Sequence, residues 1–266
     1  MHLTVLGCSG SGPGPTSPAS GYLVTAGDVA LVLDLGNGSF GALLRHLDPW
    51  RLSAVALSHL HADHCADVAN LVVHRRYDPA APPAPPPLPV FAPSEAPERL
   101  AAAYAASAEE RATTDLSDVL AFRPVAAGGA VGELTLTAAP VAHPVEAYAL
   151  RVEHAGAALV YSGDTGPCPA LVELARGADV LLCEASWPHA VPGRYTEPPP
   201  GVHLSGRQAG EHAAVAGVGR LLLTHLPVWC DAAAVLAEAR EAFAGPVELV
   251  VPDATYEVRA ADPARG

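Results

Sequence analysis

Lysine and isoleucine are absent from this chain, and methionine occurs once. Abundant alanine, proline and glycine beside those gaps point to codon bias rather than to function. The missing lysine does have chemical consequences. All positive charge rests on 15 arginines, set against 28 acidic side chains for a net charge of −13, and no basic run occurs. Neutralising a phosphate backbone takes clustered cations, so the chain reads as a poor general binder of nucleic acid. The glycine-rich stretch Gly7–Gly14 lacks the lysine of a P-loop, and no helical pattern follows it. It reads as a tight turn near the floor of a site.

Long apolar spans and a charged leader are missing too, so the sequence reads as that of a cytoplasmic protein without membrane association. The five cysteines (Cys8, Cys65, Cys168, Cys183 and Cys230) are odd in number and form no CxxC pair. They read as reduced thiols. Cys65 directly follows His64, which suits a supporting place rather than a ligand.

What is present is enough for a core. Half of the residues are hydrophobic and 16% are charged. The expectation is one domain over residues 1–266. Strands are expected at Leu3–Leu6, Tyr22–Thr25, Val29–Asp34, Ala54–Leu57, Val131–Ala138, Ala147–Glu153, Ala157–Tyr161, Asp179–Cys183, Leu221–Thr224, Val247–Val251 and Thr255–Arg259. Helices are expected at Phe40–Leu47, Asp63–Tyr77, Leu100–Ala106 and Ala170–Ala175. Another begins at Ser205, with Gln208 completing a capping box, and ends at Gly217. A last helix runs from Asp231 to Phe243. Residues Pro79–Pro97 carry nine prolines and read as a loop with one brief strand near Val90. Strands with helices between them, in two similar halves, suit an α/β fold layered αββα.

The chemistry concentrates in one segment. His59-Leu60-His61-Ala62-Asp63-His64 places four metal-competent side chains within six residues. On extended chain His59 and His61 point to one side. A turn into helix then brings Asp63 and His64 back towards them. Three later residues, His143, Asp164 and His225, each sit just beyond an apolar strand, so all could converge on one sheet edge. Neutral imidazole and carboxylate suit Zn²⁺, Fe or Mn²⁺. Asp34, at the end of Val29–Leu33, is expected to support the His59–His64 loop rather than to bind metal.

The pattern His-x-His-x-Asp-His, then His, then Ser-Gly-Asp-Thr, then Leu-Leu-Thr-His resembles the metallo-β-lactamase superfamily, and within it the ribonuclease Z-like branch. The resemblance implies a dinuclear centre of two divalent ions, Zn foremost. His59, His61 and His143 would hold one ion. Asp63, His64 and His225 would hold the other, with Asp164 as the bridge. It also implies a second layer, in which Glu184 pairs with His203 and His203 gives a proton to the leaving oxygen. A carboxylate beside an imidazole keeps that imidazole protonated.

Within the branch the chain resembles the atypical, class II-like cyclic AMP phosphodiesterases of actinobacteria. Its best segments are Leu6–Val24, Gly41–Pro49, Leu57–Val68, Val141–Val152, Tyr161–Gly166, Leu171–Trp187 and His203–Trp229. The implied reaction opens a 3′,5′-cyclic nucleotide to the 5′-monophosphate, with catalytic roles for Asp63, His203 and Glu184. A small phosphodiester is then the expected partner, with no stable nucleic-acid partner, and a homodimer is expected from the habits of the branch. Bacterial ribonuclease Z carries a tRNA-gripping arm between its third histidine ligand and its bridging aspartate. Here that interval is 21 residues (164 − 143), enough for a hairpin alone. Processing of RNA 3′ ends, hydrolysis of esters, lactones or thioesters, and non-catalytic metal binding stand as alternatives. The chain departs most from the resemblance at Pro79–Pro97 and at Trp187–Val202. Trp187, His189, Arg194 and Tyr195 in the second loop are candidates to touch phosphate or base.

Overall fold

A computed structural model describes residues 1–260. The domain expected over residues 1–266 therefore runs past the described residues at its C-terminal end.

Two seven-stranded sheets form the centre. The first has the order β14-β1-β2-β3-β4-β5-β6 and the second β13-β12-β11-β10-β9-β8-β7. In the first sheet β1 (His2–Gly7), β2 (Gly21–Ala26) and β3 (Val29–Leu35) are antiparallel, with β14 (Thr255–Glu257) on the outer edge of β1. Then β4 (Ala54–Ala56), β5 (Leu88–Ala92) and β6 (Leu120–Pro124) follow in parallel. The second sheet repeats the plan. Antiparallel β7 (Gly129–Val131), β8 (Leu134–Pro140), β9 (Tyr148–His154) and β10 (Ala157–Tyr161) lead into parallel β11 (Val180–Glu184), β12 (Leu221–Thr224) and β13 (Val247–Leu249). Strands β4, β10, β11 and β12 are buried at every residue, which is why they read as unbroken apolar runs rather than alternating ones.

Three apolar clusters show the layering. One joins Leu3, Tyr22, Leu31 and Ala54 of the first sheet to Leu136, Leu159, Leu182 and Leu222 of the second. A second packs Val32, Val55 and Val90 against helices α1 (Ser39–Leu43), α3 (Val68–Tyr77) and α4 (Ala96–Tyr104). The third packs Val160, Leu181 and Leu223 against α6 (Pro169–Ala175), α7 (Gly206–Ala216) and α8 (Ala232–Ala242). Helices, sheet, sheet and helices thus make the four αββα layers. No helix of the described residues is long and apolar enough to cross a membrane.

Several boundaries differ from the sequence reading. The helix expected over Asp63–Tyr77 is two: α2 (Ala62–Cys65) and α3. Asp67 breaks it, because its amide donates to Leu35 O and its carboxylate accepts from Phe40 N, tying this turn to the end of β3. Helix α4 starts before Leu100, since Pro97 in the first turn loses no hydrogen bond there. The strand expected over Val131–Ala138 folds at Gly132 (φ 56°) into the β7–β8 hairpin. Strand β6 and the short α5 (Ala108–Arg111) carried no clear periodicity. Both capped helices stand as read. Ser205 and Gln208 form the capping box of α7, and the Asp231 side chain caps α8.

Candidate metal centre

The parallel strands aim their C-terminal ends at one place. Strand β4 delivers Ser58 and His59, β10 delivers Asp164, β11 ends at Glu184 and β12 delivers His225. His61 is the N-terminal flanking residue of α2, which turns Asp63 and His64 inwards, and His143 follows β8. Two groups of ligand atoms result, His59–His61–His143–Asp164 and Asp63–His64–Asp164–His225, each with all atoms within 4.8 Å. Asp164 belongs to both. Every residue of the expected ligand set is therefore brought together.

Hydrogen bonds on the far side of the rings decide which nitrogen faces inwards. His64 Nδ1 lies 2.7 Å from Asp34 Oδ2, and His143 Nδ1 lies 2.9 Å from Val202 O. Ser58 Oγ gives its proton to Asp34, so it accepts from His59 Nδ1 at 3.0 Å. Ser186 Oγ gives its proton to Glu184, so it accepts from His225 Nδ1 at 2.9 Å. Each Nδ1 is thus spoken for as a donor, and each Nε2 is left as a lone pair. Those lone pairs crowd together. His59 Nε2 and His143 Nε2 lie 3.0 and 3.1 Å from His61 Nδ1, and His64 Nε2 lies 3.2 Å from His225 Nε2. Tetrahedral ligands at about 2.0 Å from a Zn²⁺ ion stand about 3.3 Å apart. Asp164 Oδ1 is buried, makes no well-aligned hydrogen bond among the described residues and faces His64 Nε2 at 3.2 Å and His225 Nε2 at 3.4 Å, as suits an oxygen that would share a cation with them. The residues present fit two divalent ions.

Electrostatics agree. Burial opposes ionisation of Asp164, yet His225 and His64 hold its carboxyl well below the usual range. Asp63 is likewise opposed by burial and held low by His225 and His64. Burial lowers His59, with His64 adding to the effect, so His59 stays neutral and ready to coordinate. His64 is the exception. Burial would lower it, but Asp164 and Asp34 hold it well above its ordinary value, so in the metal-free chain a proton stands where a cation would.

The loops carrying the ligands rest on close backbone approaches. A Cβ on Gly36 would lie 1.9 Å from Asp63 O, and one on Gly10 would lie 2.3 Å from His225 O. The glycine-rich turn therefore does form the floor: Gly10 N donates to Leu226 O. Asp34 and His225 both hold a left-handed backbone (φ 57° and 58°), which costs about 1–3 kcal/mol for a non-glycine residue and is tolerated where surrounding structure demands it.

Beside the second ligand group, His203 Nδ1 lies 3.0 Å from Glu184 Oε1 and 3.9 Å from Asp164 Oδ2. Glu184 is fully buried and fixed by Thr165 N on Oε1 (2.7 Å) and Ser186 Oγ on Oε2 (2.9 Å). Burial alone would lower His203, but the Glu184 carboxylate raises it to about 9. With Nδ1 held by Glu184, Nε2 is the nitrogen left to move a proton.

Of the loop residues put forward, Trp187 reaches the site, with its ring edge-on to His203 at 5.2 Å between centroids. His189 binds Ser205 Oγ and Tyr195 binds Pro188 O, so both serve the loop itself. Asp34 supports the histidine loop as expected, accepting from Ser58 N and Oγ, His64 Nδ1 and Tyr161 OH at 2.7–2.8 Å. Cys65 turns its thiol to Leu60 O and is no ligand. The sequence reading missed Ser58 and Ser186. Ser58 abuts His59, and Ser186 follows Glu184 by two residues, which puts both on the same side of extended chain.

Comparison with known proteins agrees with this architecture. The profile described as Beta-lactamase superfamily domain matches residues 32–226. The chain is 50% identical over 264 residues to the uncharacterized protein ML1173 of Mycobacterium leprae, covering 98% of this chain and 89% of the relative. It is 32% identical over 241 residues to ribonuclease Z of Mycolicibacterium gilvum, covering 85% and 84%. The crystal structure of the metallo-beta-lactamase fold protein YhfI from Bacillus subtilis superposes with a TM-score of 0.80 at 27% identity, over 96% of this chain and 99% of that one.

Proposed function

The chain belongs to the metallo-β-lactamase superfamily, and from that premise we propose that it is a dinuclear phosphodiesterase opening 3′,5′-cyclic nucleotides, cyclic AMP foremost, to 5′-monophosphates. Membership together with the histidine and aspartate clusters makes it a metal-dependent hydrolase. The narrower reading rests on the Glu184–His203 pair. An alkoxide is a poor leaving group and needs a proton as it departs, whereas a thiolate does not. A protein acid fixed beside the cluster is what phosphodiester cleavage asks for.

When bound, two divalent cations would supply Lewis acidity and make water more acidic. His59, His61 and His143 would hold one of them and Asp63, His64 and His225 the other, with Asp164 shared. The remaining work falls to the chain. Asp63, ionised and facing His225 Nε2 at 3.2 Å, orients the attacking water. Its depressed pKa makes it a poor store for a proton, so its role is positioning. His203, held in its acid form by Glu184, protonates the departing 3′ oxygen. Glu184 keeps that imidazole oriented and charged.

Small size of substrate is favoured by two features. Between His143 and Asp164 the chain forms only the β9–β10 hairpin, so no arm projects to hold a folded RNA. The net charge of −13 also disfavours a polyanion. Metal-stripped and metal-reconstituted protein should be compared on cyclic AMP, bis(p-nitrophenyl) phosphate, a thioester and a precursor tRNA. The reading expects cyclic AMP to show the highest kcat/KM, and only with metal. Preferential cleavage of the precursor tRNA or the thioester would overturn it.

A further inference from the structure

Arg99 lies on α4, beside the metal-competent histidines. Its Nε donates to Leu60 O at 2.9 Å, within the histidine-bearing loop. Among the described residues its guanidinium makes no ion pair, although acidic residues outnumber arginines almost two to one. Arg99 is exposed at the surface, and a guanidinium there without a carboxylate partner is free to take an acceptor from a ligand.

Arg99 also stands between two cavities. The smaller, about 160 Å³, contains His61 together with Val145 and Leu60. The larger, about 740 Å³, begins at Ala62 and runs between the start of α3 and helix α4. Its floor is made of small apolar groups, among them Ala66, Ala69 and Ala102, and its edge mixes the donors Arg99 and Arg111 with the acceptors Glu95 and Glu98. A bare anion needs no such floor. A flat heterocycle does, and the edge of a purine carries both acceptors and donors. The volume falls within the range of small-molecule sites, about 300–1,000 Å³.

We propose that this cleft is the base subsite, taking the purine nucleoside end of the substrate, with Arg99 as the residue that anchors it beside His61. The proposal rests on the cyclic-nucleotide reading and deepens it. The base lies on the alanine floor, Arg99 donates to ring acceptors, and Glu95 or Glu98 accepts from exocyclic or ring N–H groups. Affinity for the base is then separate from the chemistry at the ions.

Two variants test it. Ala69→Phe fills the cleft without touching the Leu60 contact, and Arg99→Gln removes the charge. Each should raise KM for cyclic AMP about tenfold relative to KM for bis(p-nitrophenyl) phosphate, which has no base, a shift of about 1.4 kcal/mol. Calorimetric binding of adenosine to the metal-free protein gives a readout independent of turnover, and it should weaken about tenfold in both variants. Unchanged adenosine affinity and an unchanged KM ratio would overturn the subsite. If wild-type protein binds adenosine in this cleft but does not hydrolyse cyclic AMP, the subsite stands and the phosphodiesterase reading falls.

Discussion

Asp34 and His64 meet at 2.7 Å, carboxylate oxygen to Nδ1, with both side chains wholly buried. No metal-competent atom of Asp34 joins either ligand group, yet four donors end on it. It fixes the tautomer of His64, anchors the loop that carries His59 and, through Tyr161 OH, links the two sheets. Asp34→Asn preserves the shape and tolerates the left-handed backbone while removing the charge. Metal affinity should fall about 10–100-fold, the usual cost of losing a group that orients a ligand. Metal titration by competition with a chromophoric chelator measures it.

Metal binding should release a proton and strengthen as pH rises. His64 is held protonated in the metal-free chain by Asp164 and Asp34, and it must lose that proton to coordinate. The sign follows directly: lowering pH stabilises the competing protonated form and weakens the metal. Calorimetry in two buffers of different ionisation enthalpy should report net proton release near neutral pH.

Glu184→Gln should move the alkaline limb of the kcat profile. His203 stays protonated up to about 9 because of the carboxylate at 3.0 Å. Without that charge its pKa falls, so activity on cyclic AMP declines from a lower pH. His203→Ala should cost about 10²–10⁴ in kcat on cyclic AMP and much less on a diester with a p-nitrophenolate leaving group, which departs unaided.

Gly36→Ala tests the packing beneath the loop. The added Cβ would sit 1.9 Å from Asp63 O, against backbone that cannot swing away. The loop must shift, so the variant should bind metal more weakly and melt at lower temperature even without metal. In the wild type, saturating metal at 100 times its Kd should add about 2.7 kcal/mol of stability. Thermal melts with and without chelator measure both effects.

Much of this was legible from residue pattern because the chemistry is local. Four candidate ligands lie in six residues, Asp164 and His225 follow the unbroken apolar strands β10 and β12, and His143 follows the alternating strand β8. The capped helices were legible for the same reason, since Ser205, Gln208, Gly217 and Asp231 act on their own turn. What escaped depends on partners far along the chain. Helix α3 starts late because Asp67 prefers Phe40 N, 27 residues away. Ser186 matters because β11 and β12 pair, and Arg99 matters because α4 packs over the loop of Leu60. Strand β6 is half exposed, so it lacks the apolar run that marks its neighbours.

Counting metal is the most direct test of the central claim. Elemental analysis after equilibrium dialysis should find about two divalent ions per chain, about one after His61→Ala, and neither held tightly after Asp164→Ala, which removes the shared oxygen. A wild-type chain that retains no ion at micromolar free metal, or one whose two ions survive Asp164→Ala, would contradict the dinuclear centre.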